Sequence, residues 1–257
     1  MLQPDISIIL IIVGLGFLAA FIDSVVGGGG LISIPALLSV GMAPSVALGT
    51  NKLASSFGSL TSAVRFTRAR KVDLKLVGKL FPFVFVAAIG GACLAIILPP
   101  ELLKPLVIVV LTFVLIYTLV KKDWGSVRSV KKFTIGKAIV FVLLMSGIGF
   151  YDGFLGGGTG SFMLFGLLMF GFDFLSAAGN TKVLNFSSNV GGLVLFMFLN
   201  EVDYFYGIIM ALSMIVGSYA GTMFALKKGV GYVKILFIIV TAILIVKNTY
   251  DYIMTLI

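Results

Sequence analysis

Histidine is absent from these 257 residues, cysteine and tryptophan occur once each, and only 11% of the residues are charged. Without imidazole there is no histidine general base, proton relay or metal ligand. The single cysteine, Cys93, excludes an internal disulfide and a thiolate cluster. The few carboxylates show no paired spacing of a catalytic kind, so an intramembrane enzyme is not expected, and neither a cofactor nor a metal is called for. Strand-like alternation over about ten residues is missing, which argues against a β-barrel. The first residues lack a basic segment and a cleavage site, so no removable signal peptide is expected. Despite its glycines the chain has no Gly-Lys-Ser/Thr in a strand–helix context, so it is not read as a nucleotide loop.

What is present is apolar. Hydrophobic residues make up 60% of the chain, mean hydropathy is +1.17, and runs of about 20 apolar residues recur from end to end. The composition is that of an all-α polytopic membrane protein with no sizeable soluble domain. The net charge of +9 is assigned to cytoplasmic loops rather than to nucleic acid. Apolar runs and their breaks place spans or half-spans at 6–26, 31–40, 45–66, 78–98 and 102–120. After a basic stretch they recur at 138–155, 161–170, 176–199, 204–226 and 232–247.

The same pattern occurs twice, about 130 residues apart. Asp23 precedes Gly27-Gly28-Gly29-Gly30 and then Gly49-Thr50-Asn51-Lys52; Asp152 precedes Gly156-Gly157-Gly158-Thr159-Gly160 and then Gly179-Asn180-Thr181-Lys182. Further identities at this spacing, among them Phe66 with Phe196, Asp73 with Asp203 and Gly91 with Gly221, point to a duplication. The organisation expected is a first repeat at 1–120, a basic cytoplasmic linker at 121–137 and a second repeat at 138–257.

Loop charge sets the orientation. Arg65, Arg68, Arg70, Lys71, Lys75 and Lys79 cluster in one connection, while the equivalent connection of the second half, Asn200-Glu201-Val202-Asp203, has no basic residue. The first is therefore cytoplasmic and the second external. Matching loops on opposite sides require an inverted repeat, a common transporter design. The parity also makes each glycine run the tip of a hairpin, re-entrant or fully spanning, followed by three spans per half. Both termini are then outside a cell inner (plasma) membrane.

Lys52 lies eight residues into the helix expected after Pro44, about 12 Å at about 1.5 Å per residue, within a hydrocarbon core about 30 Å thick. Lys182 is expected at a similar depth from the other face. A lysine there costs about 2.5–3.5 kcal/mol on insertion scales; it must snorkel, pair with a carboxylate, or serve a site. Helical spacing puts Lys52, Ser55, Ser56, Ser59 and Ser62 on one face, and Lys182, Asn185 and Asn189 on another. These stripes suit a wet cavity, in which the lysines attract an anion and hydroxyls and amides orient it. Consecutive glycines disfavour helix by about 1 kcal/mol each, and a mid-membrane break aims unpaired N–H groups at whatever fills the gap. The expected binding residues are accordingly Lys52, Lys182, Asn51, Thr50, Thr181, Gly28, Gly29, Gly30, Gly157, Gly158, Thr159, Gly160, Ser55 and Asn185. Asp23 and Asp152 can balance the lysines, cap a half-helix or carry a coupling proton.

At these residues the sequence resembles the sulfite/sulfonate exporter family, TauE/SafE. The resemblance rests on Gly27-Gly28-Gly29-Gly30-Leu31-Ile32-x2-Pro35, Gly49 to Lys52, Gly149-Phe150-Tyr151-Asp152-Gly153-Phe154, Gly156 to Phe162, and Thr181-Lys182-x2-Asn185. It covers nearly the whole chain. It implies a permease for small sulfur-containing anions of the sulfite, sulfonate or sulfoacetate class, usually exporting. Gly157 stands where the family often has proline. The expected function is a secondary transporter working by alternating access, the alternatives being an anion channel or a non-transporting helper subunit. Membrane lipid and a small anion are the expected partners, nucleic acid is not, and the oligomeric state is open.

Overall fold

The computed structural model describes residues 6–97 and 134–256, with Thr112 and Ile116 between them. Every regular element among the described residues is helical. Helix α1, Ile6–Val26, is apolar but for Ser7, Asp23 and Ser24, and stops at Gly27 and Gly28, both at φ near +90°, a region glycine enters without penalty. A short helix α2, Gly30–Ser39, follows; Gly41 then turns the chain into α3, Pro44–Arg68. Pro44 opens α3 at the position where a missing N–H costs nothing. Asp73 caps α4, Leu74–Ala95, by accepting from the Leu76 amide at 3.2 Å.

The second half repeats the order. Helix α5, Ile135–Phe154, runs into the second glycine break, with Gly156 and Gly158 at positive φ. Helix α6, Thr159–Met169, is again short, and α7, Phe174–Phe198, is again 25 residues long. Helix α8 runs Tyr204–Leu256 and is broken at Gly229 (φ 81°, ψ −173°), close to the boundary expected between the last two spans. The expected span at 102–120 lies outside the described residues, as does most of the linker at 121–137. Residues 135–137, expected to close that linker, form the first turn of α5. The first basic connection is also shorter than expected: Arg65 and Arg68 end α3 and Lys75 and Lys79 begin α4, which leaves Arg70 and Lys71 in the turn.

Four helices among the described residues are long and apolar enough to cross a membrane: Ile6–Val26, Leu74–Ala95, Ile135–Phe154 and Tyr204–Gly229. Helices α3 and α7 have the length, but their faces carry the polar stripes. Helices α2 and α6, at 10 and 11 residues, span only about 15 Å.

The polar helices α3 and α7 pack together at the centre; α1 and the first part of α8 flank one side, α4 and α5 the other. Close approach depends on glycine. A Cβ on Gly91 (α4) would strike the Phe150 carbonyl (α5), and one on Gly221 (α8) would strike the Phe21 carbonyl (α1). A Cβ on Gly49 would strike the Glu201 carbonyl, and one on Gly179 would lie 2.7 Å from the Lys71 carbonyl oxygen. The Asp203 amide donates to Thr50 Oγ1 at 2.9 Å; the Asp73 amide donates to Asn180 Oδ1 at 2.8 Å. Each of these contacts recurs with the halves exchanged. Arg70 and Asn200, at equivalent positions, are the two non-glycine residues with positive φ among those described (56° and 58°).

Candidate functional site

The two glycine breaks meet. Gly27 lies against the Gly160 and Ser161 backbone, and Gly30 against the Gly156 carbonyl, so tightly that no Cβ fits. Ser161 Oγ donates to the Val26 carbonyl at 3.2 Å, and the Gly29 amide donates to Asp23 Oδ1 at 3.2 Å. Tyr151 OH donates to the Gly157 carbonyl at 2.5 Å. The chain breaks and reforms helix here because successive glycines permit backbone angles, and a backbone-to-backbone distance, that side chains forbid.

Beside the tips lie two ion pairs, both crossing between the halves. Lys52 Nζ on α3 donates to Asp152 Oδ2 on α5 at 2.8 Å and to the Asp152 carbonyl at 2.5 Å. Lys182 Nζ on α7 donates to Asp23 Oδ2 on α1 at 2.7 Å. Both lysines are 1% exposed; the Asp152 side chain is 3% exposed and that of Asp23 is 21%. A buried ammonium without an anion would be costly, and a close carboxylate with further hydrogen bonds offsets that cost. Of the alternatives open to each lysine, pairing with a carboxylate is the one the structure holds, and balancing the lysines is one structural role of the aspartates.

The pairs back onto a small polar cavity of about 30 Å³. Its wall contains Asp23, Gly29, Gly30, Asn51, Ser55, Asp152, Gly160 and Asn185 from the expected site set, with both lysines behind their carboxylates. Gly156, Ser59, Asn189, Met214, Ser218 and the small residues Ala19, Ala20 and Gly58 complete it. Asn51 Oδ1 accepts from Ser33 Oγ at 2.6 Å, and Asn189 donates to Asn185 Oδ1 at 2.9 Å.

Other expected residues lie elsewhere. Thr50 bonds the Asp203 amide away from the cavity. Gly157 and Gly158 face Leu31 and Phe162, and Gly28 is a backbone turn at φ 90°. Thr159 and Thr181 are buried with hydroxyls that have no hydrogen-bond partner. Ser59 and Asn189 stand on the polar stripes read from the sequence. Met214 and Ser218 come from α8, where the signal available was a Gly217-Ser218 step inside an apolar run. Among the described residues no cluster of acidic, cysteine or histidine side chains could hold a metal ion.

In electrostatic terms the site is balanced: two ammonium groups, two carboxylates, and a first layer of amides and hydroxyls that donate or accept. Both aspartates line the cavity, and neither lysine does.

The family model described as sulfite exporter TauE/SafE matches residues 12–248. A probable membrane transporter protein, ORF9, of Sinorhizobium is 39% identical over 240 residues, covering 91% of this chain and 90% of that protein. One from Haemophilus influenzae is 34% identical over 248 residues, 96% of each chain. The probable membrane transporter protein YfcA of Escherichia coli K12 is 34% identical over 236 residues, 91% of this chain and 87% of that protein. No solved structure matches the chain.

Proposed function

Because the chain belongs to the sulfite exporter TauE/SafE family of membrane transporters, we propose that it is a secondary carrier exporting a small sulfur oxyanion across the cell inner membrane. The anion is held in the cavity between the Lys52–Asp152 and Lys182–Asp23 pairs. The observation that carries this reading is the crossing of both pairs between the halves at a polar cavity in an apolar protein. Charge in low dielectric must be matched. An anion can displace a carboxylate from its lysine if that carboxylate takes a proton, so that one negative charge and one proton enter together and the site stays neutral. Each pair then ties one half to the other until the cargo replaces it, which is how cargo and conformation are coupled. The inverted arrangement, with basic turns inside and both termini outside, is part of the same proposal.

The central test is binding of sulfite, sulfonates, sulfoacetate, thiosulfate and sulfate to purified protein, followed by flux of labelled anion in liposomes. Saturable flux with counterflow is expected; unsaturable flux would make the protein a channel, and no flux by the pure protein would make it a helper subunit.

Asp152→Asn keeps the shape of the Lys52 partner and removes its proton site. Flux in this variant is expected to persist in counterflow yet lose its response to an imposed pH gradient. Unchanged gradient dependence would remove Asp152 from coupling. The topology has its own test: with Cys93 replaced by serine, a cysteine at Arg70 should react with impermeant reagent from the cytoplasmic face and one at Asn200 from the outside. Labelling of both from one side would overturn the inversion.

A further inference from the structure

The reciprocity of the two halves fails along one line. Beyond Ser59 and Ser218 in the cavity wall, one helical turn further along three helices, Ser24 (α1), Ser62 (α3) and Thr222 (α8) form a buried knot of hydroxyls. Ser24 Oγ and Ser62 Oγ are 2.7 Å apart, and Thr222 Oγ1 donates to Ser62 Oγ at 3.1 Å. One turn past Ser62, the Arg65 guanidinium lies 4.2 Å from the Tyr219 ring centroid, its Nε is buried without a hydrogen-bond partner, and no carboxylate pairs with it among the described residues.

Exchange of the halves carries Ser24 to Gly153, Ser62 to Gly192, Ser218 to Ala88, Thr222 to Ala92 and Arg65 to Leu195. That side is packed shut by apolar contact: a Cβ on Gly192 would meet the Lys52 side-chain carbons at 3.2 Å, and one on Gly153 would strike the Ala88 carbonyl. Interhelical hydroxyls can simply glue helices together. Glue alone does not explain why all three hydroxyls of the knot, and Ser218 before it, give way to glycine or alanine at the exchanged positions, or why the line ends at an unpaired guanidinium.

We infer that the Ser24–Ser62–Thr222 knot is the closed constriction of the anion's route between the cavity and the α3 C-terminal face, and that Arg65 is the cation at its mouth. This rests on the anion-carrier reading above. Hydroxyls replace part of a small oxyanion's hydration as it passes, donating without a fixed charge that would trap it. The guanidinium raises local anion concentration at the entrance. Ser62 and Thr222 are 0% exposed, so the route is shut in this conformation and opens when the three helices separate by enough to break two hydrogen bonds.

The test uses the full-length protein in membranes with Cys93→Ser, and compares Thr222→Cys with Ala92→Cys, both 0% exposed here. The probes are small thiosulfonate reagents, one carrying a sulfonate and one a trimethylammonium group. Thr222→Cys is expected to react about tenfold faster with the anionic reagent than Ala92→Cys does, and to prefer it over the cationic one. Arg65→Gln should remove that preference while leaving Thr222→Cys reactive. Equal rates at the two cysteines would overturn the route, and a charge preference unaffected by Arg65→Gln would overturn the role of the arginine. Labelling needs no turnover, so the route is tested even in a protein that moves none of the anions tried, and its failure is distinguishable from failure of the cargo assignment.

Discussion

Lys52→Ala is expected to lower affinity for the transported anion at least about thirtyfold, and Lys182→Ala to do the same. Truncating one member of a buried, hydrogen-bonded charge pair costs about 2–5 kcal/mol, which is about thirtyfold to several-thousandfold in a dissociation constant. Here the loss has two parts. The anion loses its ammonium, and Asp152 or Asp23 is left as an unbalanced negative charge where the anion should sit. The two are separated by the double variant Lys52→Ala/Asp152→Ala, which removes the pair together: it should recover stability, since no buried charge is left alone, without recovering binding. Lys52→Arg should also bind more weakly than the parent. Its planar fork does not reproduce three donors on a compact ammonium, and the space around Lys52 is bounded by Gly156 and Gly192. Calorimetric titration with the sulfur anions named above reads all four variants. Parental affinity in both single alanine variants would place the binding site elsewhere.

Gly27→Ala is expected to abolish folded, monodisperse protein. A side chain at φ +84° costs about 1–2 kcal/mol, and its Cβ would fall on the Gly160 carbonyl carbon and the Ser161 amide. Overpacking of that kind costs about 1–3 kcal/mol more, and the contact is backbone on backbone, which no rotamer change relieves. The effect reaches the site directly, because this contact sets the height of both glycine tips beside the ion pairs. Gly14→Ala is the matched control: nothing lies within 4 Å of the added carbon, and helix propensity favours alanine. Yield after size exclusion and thermal midpoint in detergent distinguish them; a Gly27→Ala protein as stable as the Gly14→Ala protein would mean that the tips do not need to touch.

Much of this architecture can be read from the chain because lipid makes local rules strict. The run 6–26 is the helix Ile6–Val26, since only helix satisfies its backbone in hydrocarbon and glycine ends it. The polar stripes of α3 and α7 are buried as their spacing implies: Ser56, Ser59, Ser62, Asn185 and Asn189 are each at most 6% exposed. The pairing of charges lies beyond such rules. Lys52 and Asp152 are 100 residues apart, Lys182 and Asp23 159; periodicity assigns each to a face, but not the face opposite. The glycine runs show the same limit. Their presence marks a break, while positive φ at Gly156 and Gly158 decides that Gly156 and Gly160 reach the cavity and Gly157 and Gly158 do not.

The crossing of the two bridges also bears on how the chain is made. Residues 6–97 leave the ribosome first, bearing Lys52 and Asp23, whose mates belong to a segment not yet synthesised. Until α5 and α7 arrive, the membrane holds a half-product with one ammonium and one carboxylate unanswered. Biogenesis therefore has no stable halfway house: the early portion must wait, shielded by the insertion machinery, and maturation completes as a single event when the late portion docks.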